Sequence, residues 1–308
     1  MTIRLVGVGE LLWDMLPSGR QMGGAPANFT CHARALGAIA TLISRVGSDS
    51  LGNEIRDRLK SLGVSTDAVE VDPMLPTGTV SVEVASDGQP KFVIEPDVAW
   101  DAIEAAGPAI DAAEHCDAIC FGTLALRGEK SRKSIFQLIE NAPRRALHIL
   151  DINLRPPFVE KETVAQALAR ADVLKLNDDE LTVLANMFGL REQSTRQRLA
   201  EMIDRFALRL IALTRGAAGS LLWPGTGSPS EHPGFKVPVV DAVGAGDSFT
   251  AAMILGYFRG WDLDLINERA NRVAAFVCSQ PGATPALPAD LVSLWMDPTG
   301  AVADTRAF

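Results

Sequence analysis

A glycine-rich segment that leads into an apolar, helix-compatible run is the strongest chemical signal in the chain. It reads DAVGAGDSFTAA over residues 241–252. Gly244, Ala245 and Gly246 leave the backbone uncovered, so their N–H groups at the start of a helix would form a hole for an anion. Asp247 lies at its mouth, where a carboxylate could accept the proton of an attacking hydroxyl during phosphoryl transfer. An N-cap role for Asp247 is the structural alternative.

The glycine-rich signatures of two other nucleotide-binding folds are absent from the sequence. The chain has no G-x-x-x-x-G-K-[ST] motif. Gly7 and Gly9 begin a G-x-G run, but Leu12 prevents completion of G-x-G-x-x-G. Residues 241–252 therefore remain the best candidate for binding a phosphate.

Polar residues also follow three predicted strands at the point where each strand ends. These residues are Asn153 and Arg155 after 146–151, Asn177 and Glu180 after 171–176, and Thr214 and Gly216 after 208–213. The carboxyl ends of parallel strands meet at one edge of a sheet, so we expect these residues to converge on one crevice. Each turn alone would also suit ordinary caps and turns, but three in succession favour a ligand site.

The elements that must position these residues alternate between short apolar runs and amphipathic segments. We predict strands at 3–9, 41–47, 117–122, 146–153, 171–177, 208–214 and 219–223, and helices at 27–37, 131–142 and 194–207. Strand, helix and strand at this spacing indicate right-handed parallel crossovers. The expected fold is α/β, with a doubly wound, mainly parallel sheet flanked by helices.

One region departs from this pattern and predicts a small inserted sheet. Residues 77–94 alternate valine with polar residues around an Asp87-Gly88 turn, which is typical of a hairpin. Leu11–Leu16 could add another strand. We expect residues 1–308 to form a single domain carrying a β-lid built from about 11–23 and 74–97, which could also mediate a homodimer. Residues 224–234 are predicted to be a loop, and residues 297–308 to be loosely held.

Composition excludes several classes of partner. Of 308 residues, 47% are hydrophobic and 22% charged, which is typical of a globular protein. The 29 basic and 38 acidic residues give a net charge of −9, without a Lys/Arg cluster. Nucleic acid and membrane surfaces are therefore not expected partners. A bound nucleotide would need a metal ion and backbone N–H groups for much of its positive potential.

The cysteines and the N-terminus favour a cytoplasmic protein. Cys31, Cys116, Cys120 and Cys278 form no C-x-x-C pair and are too sparse for a disulfide scaffold. Cys116 and Cys120 lie in a strand-like apolar run, so we expect these two to be small buried hydrophobes rather than zinc ligands. The N-terminal residues lack the long apolar region of a signal peptide. No apolar stretch approaches the ~18 residues of a membrane span.

The chain resembles the ribokinase-like carbohydrate kinases of the phosphofructokinase-B type, and bacterial fructokinases in particular. The family motifs are GGAPANFTCHARALG at 23–37, SRVGSDSLG at 44–52, NDDE at 177–180, LTRGAAG at 213–219 and DAVGAGDSFTAA at 241–252. Together they extend over nearly the whole chain in the family's order. The fructokinase branch is suggested by GELLWDMLP, by PTGTV with VAWD, and by CFGTLALR.

The resemblance implies roles for residues on the sugar side of the crevice. Asp14, Gly24 and Asn28 would hold sugar hydroxyls. Asn153 and Arg155 would lie between the sugar and the phosphates. Asp247 would be the general base, beside the anion hole formed by 244–246.

It also implies roles on the nucleotide side. Thr214, Gly216, Gly219 and Asn271 would line ATP. Asn177 and Glu180 match the N-x-x-E motif that orders Mg²⁺ and its waters. Asp241 and the loop 278–286 correspond to a monovalent-cation site in many relatives. Ala286 stands where some relatives place a hydroxyl ligand, which puts a potassium requirement in doubt.

The implied activity is transfer of the γ-phosphoryl group of MgATP to the 6-hydroxyl of D-fructose. Another small substrate of the same family, such as ribose, keto-deoxy-gluconate or adenosine, stays open because one or two side chains can change the pocket. A sugar-sensing relative without catalysis is the alternative of a different class. A degraded kinase would be expected to lose part of the base, anion hole or metal motif, and all three are present.

Overall fold

The protein is described here by a computed structural model that covers residues 2–17, 19–84, 90–190 and 194–296. These residues form thirteen β-strands and ten α-helices. The strands are β1 Arg4–Val8, β2 Leu12–Leu16, β3 Gly19–Gly23, β4 Ile39–Gly47, β5 Val69–Asp72, β6 Gly78–Val84, β7 Pro90–Ile94, β8 Ala118–Phe121, β9 Leu147–Asp151, β10 Val173–Asn177, β11 Leu210–Thr214, β12 Ser220–Pro224 and β13 Ser230–His232. The helices are α1 Ala25–Ala35, α2 Ser50–Ser61, α3 Pro108–Glu114, α4 Glu129–Asn141, α5 Lys161–Leu168, α6 Asp178–Phe188, α7 Thr195–Phe206, α8 Ala245–Phe258, α9 Leu263–Cys278 and α10 Ala289–Met296.

A nine-stranded sheet forms the centre of the fold, in the order β13-β12-β11-β10-β9-β8-β1-β4-β5. The seven strands from β11 to β5 in this order run parallel, and β12 and β13 are antiparallel additions at one edge. The predicted α/β class with a mainly parallel sheet is confirmed.

Helices cover both faces of this sheet, which explains the continuous apolar strands. Ile119 and Phe121 of β8 pack into the core that includes α3 to α7, whereas Ala118 and Cys120 pack into the core that includes α1 and α8 to α10. Successive side chains of a strand point to opposite faces, so every position of a doubly covered strand is buried.

A separate four-stranded sheet has the order β3-β2-β6-β7. The predicted hairpin of 77–94 is confirmed as antiparallel β6 and β7, and the predicted strand at Leu11–Leu16 is β2. Trp13 and Met22 of this small sheet pack against Ile55 of α2. The Asp87-Gly88 turn lies outside the described residues, and use of the sheet as a lid or dimer contact stays a prediction.

The predicted loop at 224–234 is wrong in part, because it contains the short strand β13. Asn267 of α9 donates from Nδ2 to the carbonyl and hydroxyl oxygens of Ser230, at 3.0 and 3.1 Å. This buried amide holds in place a segment that its Gly and Pro residues predict to be an irregular loop. Residues 297–308, predicted to be loosely held, lie outside the described residues.

Candidate active site

The parallel strands deliver their terminal residues to one edge, as the sequence predicts. Asp151 is the last residue of β9, and it is paired in register with Lys175 of β10. Asn177, the last residue of β10, is paired with Thr214 at the end of β11. Helix α8 begins beside these residues, because Gly246 in its first turn packs on the ammonium group of Lys175.

The first turn of α8 has the geometry of an anion hole. Gly244 caps the helix with φ of 80°, and a side chain there would collide with the carbonyl of Ala283. A Cβ atom on Gly246 would lie 2.6 Å from Nζ of Lys175. The first N–H groups of a helix have no partner within it, and those of Gly246 and Asp247 have no acceptor elsewhere in the described residues. Backbone donors are therefore available at a positive helix end.

Asp247 is the third residue of α8, so its interpretation as an N-cap is wrong. The residue is 7% exposed, and its Oδ2 accepts a 2.9 Å hydrogen bond from Nδ2 of Asn28. Burial, and then the charge of Asp151, raise its pKa to about 6, against the lowering effects of Lys175, Asn28 and Arg155. A carboxyl with a pKa near neutrality can take a proton from a hydroxyl group more readily than an ordinary aspartate.

A buried ion pair below the anion hole was missed by the sequence reasoning. Nζ of Lys175 lies 3.0 Å from Oδ1 of Asp151, and both side chains are 6% exposed. Thr250 of α8 lies within 3.0 Å of the other carboxylate oxygen. Despite burial, the surrounding carboxylates raise the pKa of Lys175, so it stays charged. The signal was the single lysine in the apolar strand VLKLN.

Two predicted residues follow β9 and reach the same edge. Asn153 has φ of 40°, and its Nδ2 donates to Oδ1 of Asp151 at 2.8 Å. Arg155 is exposed, yet its charge lowers the pKa values of Glu10, Asp14 and Asp247, which come from three different parts of the chain. Arg155 is thus the cation that these three carboxyls share.

The predicted sugar-side residues lie on the small sheet and on α1. Burial raises the pKa of Asp14 to about 6, with Arg155 acting against it and Asp241 adding to it. A side chain at Gly23 would overlap the Asp14 carboxylate, and one at Gly24 would overlap the Glu10 carbonyl. The two glycines therefore permit close packing at the root of the small sheet.

Asn28 is buried, and one of its polar atoms is unpaired. Its Nδ2 donates to Asp247, but Oδ1 has no hydrogen-bond partner in the part of the chain that the structure describes. A buried acceptor without a donor is costly. A ligand hydroxyl would satisfy it, which fits the predicted sugar-binding role.

Glu10 is a second residue that the sequence reasoning missed. It is 3% exposed, and Oε1 accepts the N–H of Ala25 at 3.2 Å. Oε2 has no partner among the described residues. Burial raises the pKa of this carboxyl to about 7. Only the sequence context GELLWD, an acid directly after a buried strand, could have signalled it.

Asn177 and Glu180 form a capping box at the start of α6. Asn177 Oδ1 accepts the N–H of Glu180, and Glu180 Oε2 accepts the N–H of Asn177, both at 2.9 Å. Glu180 Oε1 accepts the N–H of Leu154 at 3.1 Å. Both carboxylate oxygens therefore hold backbone in place. Each keeps lone-pair capacity for a water molecule.

This donor set fits Mg²⁺ that keeps its waters. Within residues 2–17, 19–84, 90–190 and 194–296, no group of three or more His, Cys, Asp or Glu side chains could cage a metal. Mg²⁺ is commonly bound through one or two carboxylates, waters and substrate phosphates. Exposed Asn177 and buried Glu180 match that mode.

The four residues predicted to line the nucleotide differ in the contacts that they make with the rest of the protein. Thr214 lies at the end of β11, and Gly216 has φ of 53° with open space where a side chain would point. Gly219 instead packs on the backbone of 232–234. Asn271 donates from Nδ2 to Ser220 in a buried network. The Thr214 hydroxyl donates to the carbonyl of Leu176 at 3.3 Å, so of these four residues only Gly216 is without a side-chain or close backbone contact among the described residues.

Asp241 lies beside the loop 278–286, as the resemblance implies. Its Oδ2 accepts the N–H of Gly282 at 3.1 Å, and its Oδ1 accepts the N–H of Val243 at 3.0 Å. Ala286 is exposed and supplies no hydroxyl. The carboxylate fastens the two loops together, and a monovalent cation here stays a prediction.

Cys116 and Cys120 are buried, as predicted. All four cysteines are free; Cys31, Cys116 and Cys120 are buried, and burial raises the pKa of each thiol. Cys278 is partly buried. Across the residues that the structure describes, no helix has the length and apolar character needed to span a bilayer.

Comparison with known sequences identifies relatives along most of the chain. The sequence model of the pfkB family carbohydrate kinases matches residues 18–290. The chain is 28% identical over 298 residues to the putative sugar kinase PH1459 from Pyrococcus horikoshii, an alignment that covers 91% of each chain. It is 29% identical over 262 residues to fructokinase from Klebsiella pneumoniae, covering 81% of this chain and 82% of that protein.

Solved structures share the same fold. The crystal structure of PH1459 in complex with ATP aligns with a TM-score of 0.78 at 26% identity, covering 91% of this chain and 94% of that one. Fructokinase from Vibrio cholerae O395, in its fructose-, ADP- and calcium-bound form, aligns with a TM-score of 0.78 at 25% identity, covering 96% of this chain and 99% of that one.

Proposed function

We propose that this chain, which belongs to the pfkB family of carbohydrate kinases, transfers the γ-phosphoryl group of MgATP to the 6-hydroxyl group of D-fructose. One observation carries the proposal: the buried Asp247 carboxyl lies at the start of α8, next to backbone N–H groups that have no acceptor among the described residues. Fructose is supported by the similarity to proteins named fructokinases from Klebsiella pneumoniae and Vibrio cholerae.

In the proposed reaction, O6 of fructose attacks the γ-phosphorus of ATP while the bond to the β,γ-bridging oxygen breaks and ADP leaves. Asp247 accepts the proton from O6, which leaves the product as fructose 6-phosphate. The N–H groups of Gly246 and Asp247 stabilise the charge on the γ-phosphoryl oxygens. Arg155, with Asn153 beside it, adds positive charge between sugar and phosphates.

The nucleotide and its metal would lie on the other side of α8. Asn177 and Glu180 would hold Mg²⁺ through water, and the ion would neutralise phosphate charge. Thr214 and Gly216 would line ATP at the end of β11. Because the chain has a net charge of −9, the ion would add positive potential to that of Arg155 and the backbone N–H groups.

The sugar side favours a neutral polyhydroxyl compound over a sugar acid. Asn28 offers a buried acceptor that has no partner within the described ranges, and Asp14 offers a carboxyl with a raised pKa. Glu10 places a further acid nearby, while Arg155 is already shared by these carboxyls. A keto-deoxy acid would bring another negative charge into this group, which costs electrostatic energy.

The test is turnover of D-fructose, ribose, keto-deoxy-gluconate, adenosine and fructose 1-phosphate with MgATP, followed by phosphorus NMR of the product. We expect the highest kcat/KM for D-fructose and a product phosphorylated on O6. A clear preference for another substrate would overturn the assignment of fructose. Sugar binding by calorimetry without turnover would instead indicate a sugar-sensing protein, and Asp247→Asn is the inactive control.

A further inference from the structure

Helix α1 begins without a side-chain cap of its own. Its N-cap residue is Gly24, and its first turn contains no acidic residue. Pro26 has no backbone N–H to donate. The N–H of Ala25 is instead accepted by Oε1 of Glu10, 15 positions earlier in the chain, at 3.2 Å.

The same turn of α1 carries the residue that contacts the proposed base. The N–H of Asn28 bonds to the carbonyl of Gly24 at 2.9 Å, so its position follows the start of the helix. Nδ2 of Asn28 donates to Oδ2 of Asp247 at 2.9 Å. A continuous set of contacts thus joins Glu10 to Asp247 through α1.

We propose that Glu10 is a positioning residue for the catalytic base. It fixes the first turn of α1, and the side chain of Asn28 in that turn holds the Asp247 carboxyl in place. The inference rests on the proposed function, because it assigns Glu10 a part in the chemistry of Asp247. A base displaced by about 1 Å can lose about a hundredfold in rate. Glu10 therefore affects turnover through α1 and Asn28.

The chemistry of Glu10 provides a conservative variant. Arg155 and Asp247 are the charged side chains that act on this carboxyl, and burial favours its neutral form. A neutral carboxyl has one oxygen that accepts the Ala25 N–H and one O–H that donates. The amide of Glu10→Gln has the same acceptor and donor pattern. Glu10→Ala and Glu10→Met remove the acceptor, and methionine nearly preserves the volume.

The experiment compares kcat and KM of these three variants with the sugar that the wild type turns over fastest. We expect Glu10→Ala and Glu10→Met to lower kcat at least about tenfold, with the KM for ATP unchanged, and Glu10→Gln to recover most of kcat. Glu114→Ala, an exposed glutamate at the opposite end of the sheet, is the matched control. Glu10→Met serves as the test if Glu10→Ala does not fold. A kcat of Glu10→Met that stays near wild type overturns the proposal.

A double-mutant cycle tests the path through Asn28. If Glu10 acts through Asn28, the kcat loss in Glu10→Ala/Asn28→Ala is smaller than the product of the two single losses. Independent, multiplicative losses would overturn the path, and Glu10→Met replaces the alanine variant if that one does not fold. Asp247→Asn distinguishes failure of the proposed base from failure of the positioning role. If Asp247→Asn is active, Asp247 is not the base. If Asp247→Asn is inactive and Glu10→Met has a normal kcat, only the positioning role of Glu10 is overturned.

Discussion

Lys175 and Asp151 form an ion pair of 3.0 Å that is almost completely buried beneath the first turn of α8. The pair stands at the ends of β9 and β10 next to the proposed base, since Lys175 packs on Gly246 and Asp151 raises the pKa of Asp247. Each of these buried charges compensates the other, because either one alone would carry a large desolvation cost without a partner.

Removing the lysine should therefore destabilise the protein. We expect Lys175→Met to lower the free energy of unfolding by about 3–5 kcal/mol, because it leaves the Asp151 carboxylate buried without its cation. Urea unfolding at pH 7 measures this change. The double variant Lys175→Met/Asp151→Asn should recover part of the loss, and Lys133→Met, an exposed lysine paired with Glu129, should change stability little. Equal stability of the buried and exposed variants would contradict the prediction.

Asp247→Asn should lose turnover while keeping the fold. The amide still occupies the space of the carboxyl but cannot accept the hydroxyl proton, so kcat should fall about 10²-fold to 10⁴-fold. Binding of ATP, measured by calorimetry, should stay close to wild type, because the N–H groups of α8 are backbone atoms. Near-normal kcat in this variant would remove Asp247 from the base role.

The pH dependence of kcat/KM should contain an acidic limb near pH 6, where Asp247 becomes protonated and can no longer accept a proton. The hydrogen bond from Asn28 lowers the pKa of Asp247. Asn28→Ala should therefore move the limb to higher pH, in addition to any loss in sugar binding. Asp14, whose pKa is also about 6, is distinguished by repeating the profile in Asp14→Asn. A limb that disappears in Asp14→Asn would assign it to that residue instead.

Sequence patterns predicted some residues of this site and missed others. The strand-end residues Asn153, Asn177 and Thr214 were predictable because parallel strands place their carboxyl ends at one edge. Lys175 and Glu10 were not, since a single polar residue within or after an apolar strand does not show which distant group it faces. Their partners are 24 and 15 positions away and are brought near only by the sheet and by α1.

The same limit explains the error at 224–234. Gly and Pro residues in this segment favour a loop, and local propensity is all that the sequence offers there. The buried amide of Asn267, which lies 37 positions later, hydrogen-bonds Ser230, and the segment around Ser230 pairs with β12 as the strand β13. Gly219, which the sequence places in a nucleotide-binding motif, packs on the backbone of 232–234, and its role beside ATP stays a prediction.

Glu180→Ala should raise the Mg²⁺ concentration that gives half of the maximal rate, because the carboxylate is proposed to anchor metal-bound water. It should also reduce stability, since the N–H groups of Leu154 and Asn177 lose their acceptor. Titration of Mg²⁺ at saturating ATP and sugar measures the metal requirement independently of sugar affinity, and urea unfolding measures the change in stability. An unchanged Mg²⁺ requirement with a raised KM for sugar would place Glu180 on the sugar side.

Glu10→Gln should stabilise the protein at pH 8 more than at pH 5. The pKa of Glu10 is raised from 4.5 to about 7 in the folded protein. The unfolded chain therefore releases this proton at lower pH than the folded chain, and the wild type loses stability as the pH rises through this window. Glutamine has no proton to release, so the variant escapes that loss.

The comparison is the free energy of unfolding in urea of Glu10→Gln and wild type at pH 5 and pH 8. The difference between the two proteins should change by roughly 2 kcal/mol in favour of glutamine on going to pH 8. Other groups with raised pKa values, such as Asp14 and Asp247, are present in both proteins and largely cancel. A difference that is the same at both pH values would mean that Glu10 titrates normally, and would remove the electrostatic reason for its neutral state.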